Sequence, residues 1–282
     1  MTIKALKEAY QNRLTPLYDR DEINSFFYLL SEAYLDKTRL DIALNPNEEL
    51  NEATKHLFQN ALEQLTNEYP IQYIIGETEF MDFVFEVNQH VLIPRPETEE
   101  LIRWILSRED KAKIKSILDI GTGSGCIPII LANSLTNAKV TSIDISKTAL
   151  EVAKRNAVKN NVDINFLQDD ILQTKVLEEN YDIIVSNPPY VRESEKTAMN
   201  NNVLKFEPEI ALFVTDKDPL IFYRHIASLA IRSLKTDGIL YFEINQYLGA
   251  ALCKILDDLG FENIELRKDM YGADRMIRAM KN

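Results

Sequence analysis

Asn187-Pro188-Pro189-Tyr190 directly follows the apolar run Tyr181-Asp182-Ile183-Ile184-Val185-Ser186. Two consecutive prolines remove two backbone donors and forbid both a continuing strand ladder and an ordinary helix start. Two acceptors remain, the side-chain oxygen of Asn187 and the carbonyl of Pro188, with no neighbouring proline N–H to compete for a partner. Such a pair suits the two hydrogens of a planar NH2 group, whose nitrogen is a poor nucleophile because its lone pair is delocalised. Gripping both hydrogens turns that nitrogen toward an electrophile and stabilises the positive charge that develops on it. The ring of Tyr190 can pack on the flat group and restrict its rotation. This chemistry calls for no metal and no strong general base.

A proline-rich turn alone is usually only a turn; its company makes the difference. Asp119-Ile120-Gly121-Thr122-Gly123-Ser124-Gly125-Cys126 lies between an apolar strand pattern and the helical run Ile127 to Leu135. Alternate glycines let the backbone turn sharply and leave room for a ligand at a helix N-terminus. No Gly-Lys-Ser/Thr follows, so the loop is not a P-loop, and its third glycine comes one position too early for the dinucleotide fingerprint. Asp144, at the tip of the next strand pattern, can accept from both hydroxyls of a ribose. After the strand pattern that follows comes Asp169-Asp170-Ile171, where Asp170, or less favourably Asp169, can accept from an adenine amino group and Ile171 can touch the ring. A glycine loop without a phosphate-binding lysine, followed by a ribose acid, suits a nucleoside that carries no phosphates. S-adenosyl-L-methionine is the common one, and its sulfonium methyl is the electrophile the gripped nitrogen needs.

These loops require a frame that brings them together. Apolar strand patterns at Ser116–Ile120, Val140–Ile143, Ile164–Leu167, Ile183–Val185 and Ile239–Ile244 alternate with helical ones, which predicts a doubly wound α/β sheet with its ligands at the carboxyl ends of the strands. Residues 1–70 read as a small helical domain with Ile3, Leu6, Tyr10, Leu14, Phe26, Phe27, Leu30, Ala33, Tyr34, Leu50, Ala53, Leu57, Ala61 and Leu65 on apolar stripes. Tyr69-Pro70 ends it. Residues 71–95 read as a β-hairpin-like linker, with a β-type pattern from Tyr73, and 96–282 as the α/β domain, opening on a helix with Leu101, Ile102, Trp104 and Ile105 buried.

The 282 residues are 45% hydrophobic and 27% charged, the composition of an ordinary globular protein, and no apolar run approaches membrane-spanning length. With no secretory signal pattern at the start, a cytoplasmic protein is expected. Cys126 and Cys253 stand far apart without a ligand cluster, so buried, reduced thiols are expected and neither a disulfide nor a metal site is. A net charge of −12 argues against a nucleic-acid substrate.

With these residues together, the chain resembles the release-factor glutamine methyltransferases (the PrmC/HemK family). Asn187-Pro188-Pro189-Tyr190 marks amino-group methyltransferases generally; Arg95-Pro96-Glu97-Thr98-Glu99 and Glu207-Pro208 with Ala211-Leu212 narrow the resemblance, and Phe222-Tyr223-Arg224, Glu243-Ile244 and Asp274-Arg275 extend it to the C-terminal region. It implies a class I S-adenosylmethionine-dependent methyltransferase with a Rossmann-like seven-stranded sheet and a small all-α N-terminal domain that docks the substrate. It further implies methylation of a release-factor glutamine on N5, with S-adenosyl-L-homocysteine as product. Gly121 to Gly125, Asp144 and Asn187 would meet the cofactor, and Asn187 to Tyr190 the substrate amide. A monomer without membrane or nucleic-acid partners is expected. Asn245 stands where the family often has glycine, as does Phe213-Val214-Thr215. A nucleic-acid amino methyltransferase and a non-catalytic methyltransferase-fold binding module are the rival readings.

Overall fold

The computed structural model describes residues 1–282, which fold as two compact units: Met1–Gly76 with Asn200–Phe206, and Glu77–Met199 with Glu207–Asn282. Residues 77–95, expected as part of a linker, thus belong to the second unit. In the first unit, helices Ile3–Leu14 (α1), Arg20–Leu35 (α2), Arg39–Leu44 (α3) and Glu52–Thr66 (α4) each start at a side-chain cap: Thr2, Asp19, Thr38 and Asn51 accept backbone N–H groups of the first turn. Tyr10, Phe27 and Phe58 meet at the centre, and the Tyr10 hydroxyl donates to the Phe58 carbonyl at 2.6 Å.

On α4 the buried stripe is Thr54, Phe58, Ala61 and Leu65, while Ala53 and Leu57 face outward. The expected stripe counted from Leu50, which precedes the Asn51 cap and so does not set the phase of the helix. Ala33 on α2 is exposed as well. The β-type pattern expected from Tyr73 is also corrected locally: Ile71–Ile75 is a short helix (α5) that follows Pro70 and stops at Gly76, whose φ is +87°.

The second unit opens with the antiparallel hairpin Glu77–Phe80 (β1) and Phe83–Glu86 (β2), then helix Pro96–Arg108 (α6). Ser116–Ile120 (β3), Lys139–Asp144 (β4) and Asn165–Gln168 (β5) alternate with Cys126–Ser134 (α7) and Lys147–Lys159 (α8). Tyr181–Ser186 (β6) leads into the short parallel pair Val191–Arg192 (β7) and Phe213–Val214 (β8). Between those two strands run Asn201–Phe206 (α9), which belongs to the first unit and packs Phe206 edge-on against Tyr69, and Glu209–Leu212 (α10). Ile221–Ser233 (α11), Leu234–Glu243 (β9), Gly249–Asp258 (α12), Phe261–Lys268 (β10) and Asp274–Lys281 (β11) complete the chain.

The seven-stranded sheet has the order β10-β11-β9-β6-β3-β4-β5, with β11 antiparallel to both neighbours and β3, β4, β5, β6 and β9 in parallel register. This is the class I methyltransferase architecture. Successive residues serve opposite faces, as the strand pleat demands. Ile117, Val185 and Tyr241 pack under α6 and α7, whereas Leu118, Ile184 and Phe242 pack under α11 and α12. The chain walks outward from β3 to β5 and then returns to β6 on the other side of β3. That reversal opens a crevice at the carboxyl ends of β3 and β6, the position at which doubly wound sheets bind ligands. No helix is long and apolar enough to cross a membrane.

Candidate active site

The glycine loop leaves β3 at that crevice. Gly121 and Thr122 donate to the Ile143 carbonyl on β4, at 2.8 and 3.2 Å, which ties the loop to the neighbouring strand tip. Gly121 has a φ of +86°, and a Cβ there would lie 3.6 Å from the Asn187 carbonyl, so this backbone passes close beneath the start of the proline turn. Gly125, also at φ +86°, caps α7; a Cβ would press on Ile129 and Ala153 at 3.0 and 3.2 Å. Both positions therefore favour glycine for their backbone conformation, and Gly125 on steric grounds as well.

Beneath the loop, Asp119 is fully buried. Thr122 donates to Ser142, which donates to Asp119 Oδ2, while Asp119 Oδ1 meets no donor. Burial pushes its carboxyl up from an ordinary 3.8 to about 7. At the next tip, Asp144 Oδ2 accepts from Gly123 N at 2.9 Å and Oδ1 from Ser146 N at 2.8 Å. Each oxygen keeps a lone pair for a further donor. Burial raises the Asp144 pKa, and those two backbone bonds oppose the rise. Asp170 Oδ1 accepts from Leu172 N, leaving Oδ2 unpaired beside the buried Ile171; Asp169 is exposed and receives Thr174.

These residues line one cavity of about 320 Å³, within the range of small-molecule sites. Gly121, Thr122, Gly123, Ser124, Asp144, Asp169, Asp170, Ile171, Asn187, Pro188 and Pro189 all reach its wall; Gly125 and Tyr190 do not. Ser186 donates to the Ile120 carbonyl at 2.7 Å and so fastens the end of β6, where the proline turn begins, to the end of β3. Neither Asn187 Oδ1 nor the Pro188 carbonyl accepts a hydrogen bond within the protein.

The proline turn is held by side chains that the sequence reading assigned no chemistry. Asn187 Nδ2 donates to Thr98 Oγ1 at 3.3 Å, and Thr98 donates to Glu243 Oε2 at 2.6 Å. The Tyr190 hydroxyl donates to Glu243 Oε1 at 3.0 Å. Burial pushes the Tyr190 phenol up, helped by the Glu243 charge, so it remains a donor. Asn245 Nδ2 donates to the Tyr190 carbonyl at 3.0 Å, a contact that a glycine at this position could not make. The buried Glu207 accepts from Arg95 Nη2 and from Ile93 N, joining the two segments that narrowed the resemblance. Thr98, Arg95, Glu207 and Glu243 all lie in the segments quoted for that resemblance. Of the two cysteines, Cys126 is buried and Cys253 is partly exposed.

Residues 5–76 match the PrmC N-terminal domain and residues 100–207 the methyltransferase small domain. A release factor glutamine methyltransferase of Flavobacterium psychrophilum is 50% identical over 99% of this chain and 99% of its own. The chain belongs to the release factor glutamine methyltransferase family. The protein of that name from Bacteroides thetaiotaomicron is 41% identical over 94% of this chain and 95% of its own. Solved structures agree on the fold. A Pyrococcus furiosus methyltransferase superposes with a TM-score of 0.51 at 19% identity, covering 72% of this chain and 91% of its own. A T. thermophilus 16S rRNA N2 methyltransferase, solved with AdoMet and guanosine, superposes at 0.52 with 16% identity, over 73% of this chain and 50% of its own.

Proposed function

We propose that this enzyme transfers a methyl group from S-adenosyl-L-methionine to the side-chain amide nitrogen, N5, of a glutamine in a peptide-chain release factor. The observation that carries the reading is the pair of free acceptors, Asn187 Oδ1 and the Pro188 carbonyl, on the wall of the cavity that the glycine loop, Asp144 and Asp170 also line. The cavity residues fit that cofactor. Asp144 has a lone pair on each oxygen for a ribose hydroxyl, Asp170 Oδ2 is open to an amino group, and Ile171 offers an apolar wall. Bound there, the cofactor would supply an electrophilic methyl carbon on a sulfonium sulfur, with S-adenosyl-L-homocysteine as the product.

The protein's task is then orientation. Asn187 Oδ1 and the Pro188 carbonyl accept the two hydrogens of the glutamine NH2, which fixes the plane of the amide and points its nitrogen at the methyl carbon. As the N–C bond forms and the S–C bond breaks, positive charge passes to nitrogen, where the same two oxygens stabilise it. The nitrogen then gives up one proton to water. Tyr190, off the cavity wall, holds the proline turn in place through its hydroxyl bond to Glu243, and the helical unit, matched as a PrmC N-terminal domain, docks the release factor. A flipped nucleic-acid base also presents an NH2, but a chain of net charge −12 is poorly suited to a polyanion.

Incubating a release factor with the enzyme and S-adenosylmethionine, followed by peptide mass spectrometry, should place one added methyl on a glutamine side chain. Transfer only to DNA or rRNA offered in parallel would reject the assignment.

A further inference from the structure

We propose that Thr98 and Glu243 are positioning residues that decide which end of the Asn187 amide faces the substrate. The inference rests on the amide methylation proposed above. A threonine hydroxyl has one hydrogen, and here it goes to Glu243 Oε2 at 2.6 Å. Only lone pairs are then left for Asn187, which therefore meets Thr98 with its NH2, at 3.3 Å, and turns Oδ1 the opposite way. The other carboxylate oxygen receives the Tyr190 hydroxyl at 3.0 Å. In its ionised form this one group has two acceptor oxygens and no hydrogen and orients both polar side chains of the proline turn; burial pushes its pKa up, and the bonds from Thr98 and Tyr190 together with the Arg275 charge oppose the rise.

The surroundings of Glu243 favour this role over a simple structural one. Its side chain is buried, with 1% of the residue exposed, yet no cation bonds to it directly: Arg275 acts on it only through its charge and gives its hydrogen bonds to the Ile244 carbonyl and to Asp269. Tyr223 donates to the Glu243 backbone carbonyl, not to the carboxylate. A buried carboxylate without an ion pair costs stability, and a packing role would be met better by an apolar or neutral side chain. What a carboxylate provides, and a carboxamide does not, is acceptance from both Thr98 and Tyr190 at once. With glutamine at 243, an NH2 facing Thr98 would release the threonine hydrogen toward Asn187. That amide would then rotate to accept with Oδ1 and would present its own NH2 to the NH2 of the substrate.

The test uses the full-length enzyme, S-adenosylmethionine and a release factor, comparing Thr98→Val, Thr98→Ser and Glu243→Gln. Thr98→Val and Glu243→Gln should each lower kcat by on the order of 10- to 100-fold, the scale expected when a reacting group is misaligned. Cofactor Kd and release-factor KM should stay within about twofold, because the lost interaction orients a group and does not bind one. Thr98→Ser keeps the hydroxyl and should restore turnover. Wild-type kcat in Thr98→Val, or a Thr98→Ser variant as slow as Thr98→Val, would overturn the inference while leaving the proposed function standing. A wild-type enzyme that methylates no glutamine would overturn the reading beneath it.

Discussion

The proposed cofactor half and the proposed amide half of the site are built differently. At the tips of β3 and β4, geometry is enforced by backbone: Gly121 and Thr122 bond to Ile143, and Asp144 takes N–H groups from Gly123 and Ser146. At the tip of β6, the two prolines cannot donate, and the turn is held by side chains from distant elements. Asn187 reaches Thr98, 89 residues away in sequence, and Thr98 reaches Glu243, 145 residues away. A small molecule carrying fixed polar groups can be met by a backbone cradle. A reacting amide must be held to a narrower angle, and buried side-chain bonds supply that rigidity.

The largest effect should come from the amide half. Asn187→Ala removes one of two acceptors and should lower kcat by roughly 10²–10³-fold, the range for losing one transition-state hydrogen bond. Cofactor affinity by calorimetry should change little, and unchanged turnover would erase the distinction between the halves. Asp144→Ala should show the reverse split. Loss of charge-assisted bonds to the ribose weakens cofactor binding by about 1–3 kcal/mol, with kcat at saturating cofactor nearly intact. A Kd equal to wild type would take Asp144 out of the site.

The smallest effect concerns the floor of the cofactor half. Asp119 has its pKa raised by burial from 3.8 to about 7, so the folded chain holds a proton that the unfolded chain gives up. The associated stability is complete below about pH 4 and is lost as pH rises through about 7. Urea unfolding should therefore show stability falling across that window, and Asp119→Asn should flatten the fall. An identical slope in the variant would assign the titration to another group.

The same division decided what could be read from sequence. Gly121 to Gly125, Asp144 and Asp170 are local signals: glycine spacing and a carboxylate at a strand tip announce themselves within a few residues. Asn187 to Tyr190 stand out in the sequence because two prolines cannot serve a ladder. Thr98 and Glu243 were not, because a threonine in the first turn of a helix and a glutamate at a strand end look like a polar helix start and a solvated tip. Only the tertiary fold brings them together. In the helical unit, Leu57 and Phe58 are neighbours with equal claims to the core; the Asn51 cap fixes the phase of α4 and buries Phe58. The hairpin β10–β11 closes the sheet by antiparallel pairing, which the strand-and-helix alternation did not bring out.

A crystal structure of the ternary complex, with S-adenosyl-L-homocysteine and a glutamine-bearing release-factor segment, tests the central claim most directly. Asn187 Oδ1 and the Pro188 carbonyl should both lie within hydrogen-bond distance of the glutamine amide nitrogen, with that nitrogen facing the sulfur. An amide nitrogen bound by other groups, with those two oxygens turned to solvent, would contradict it.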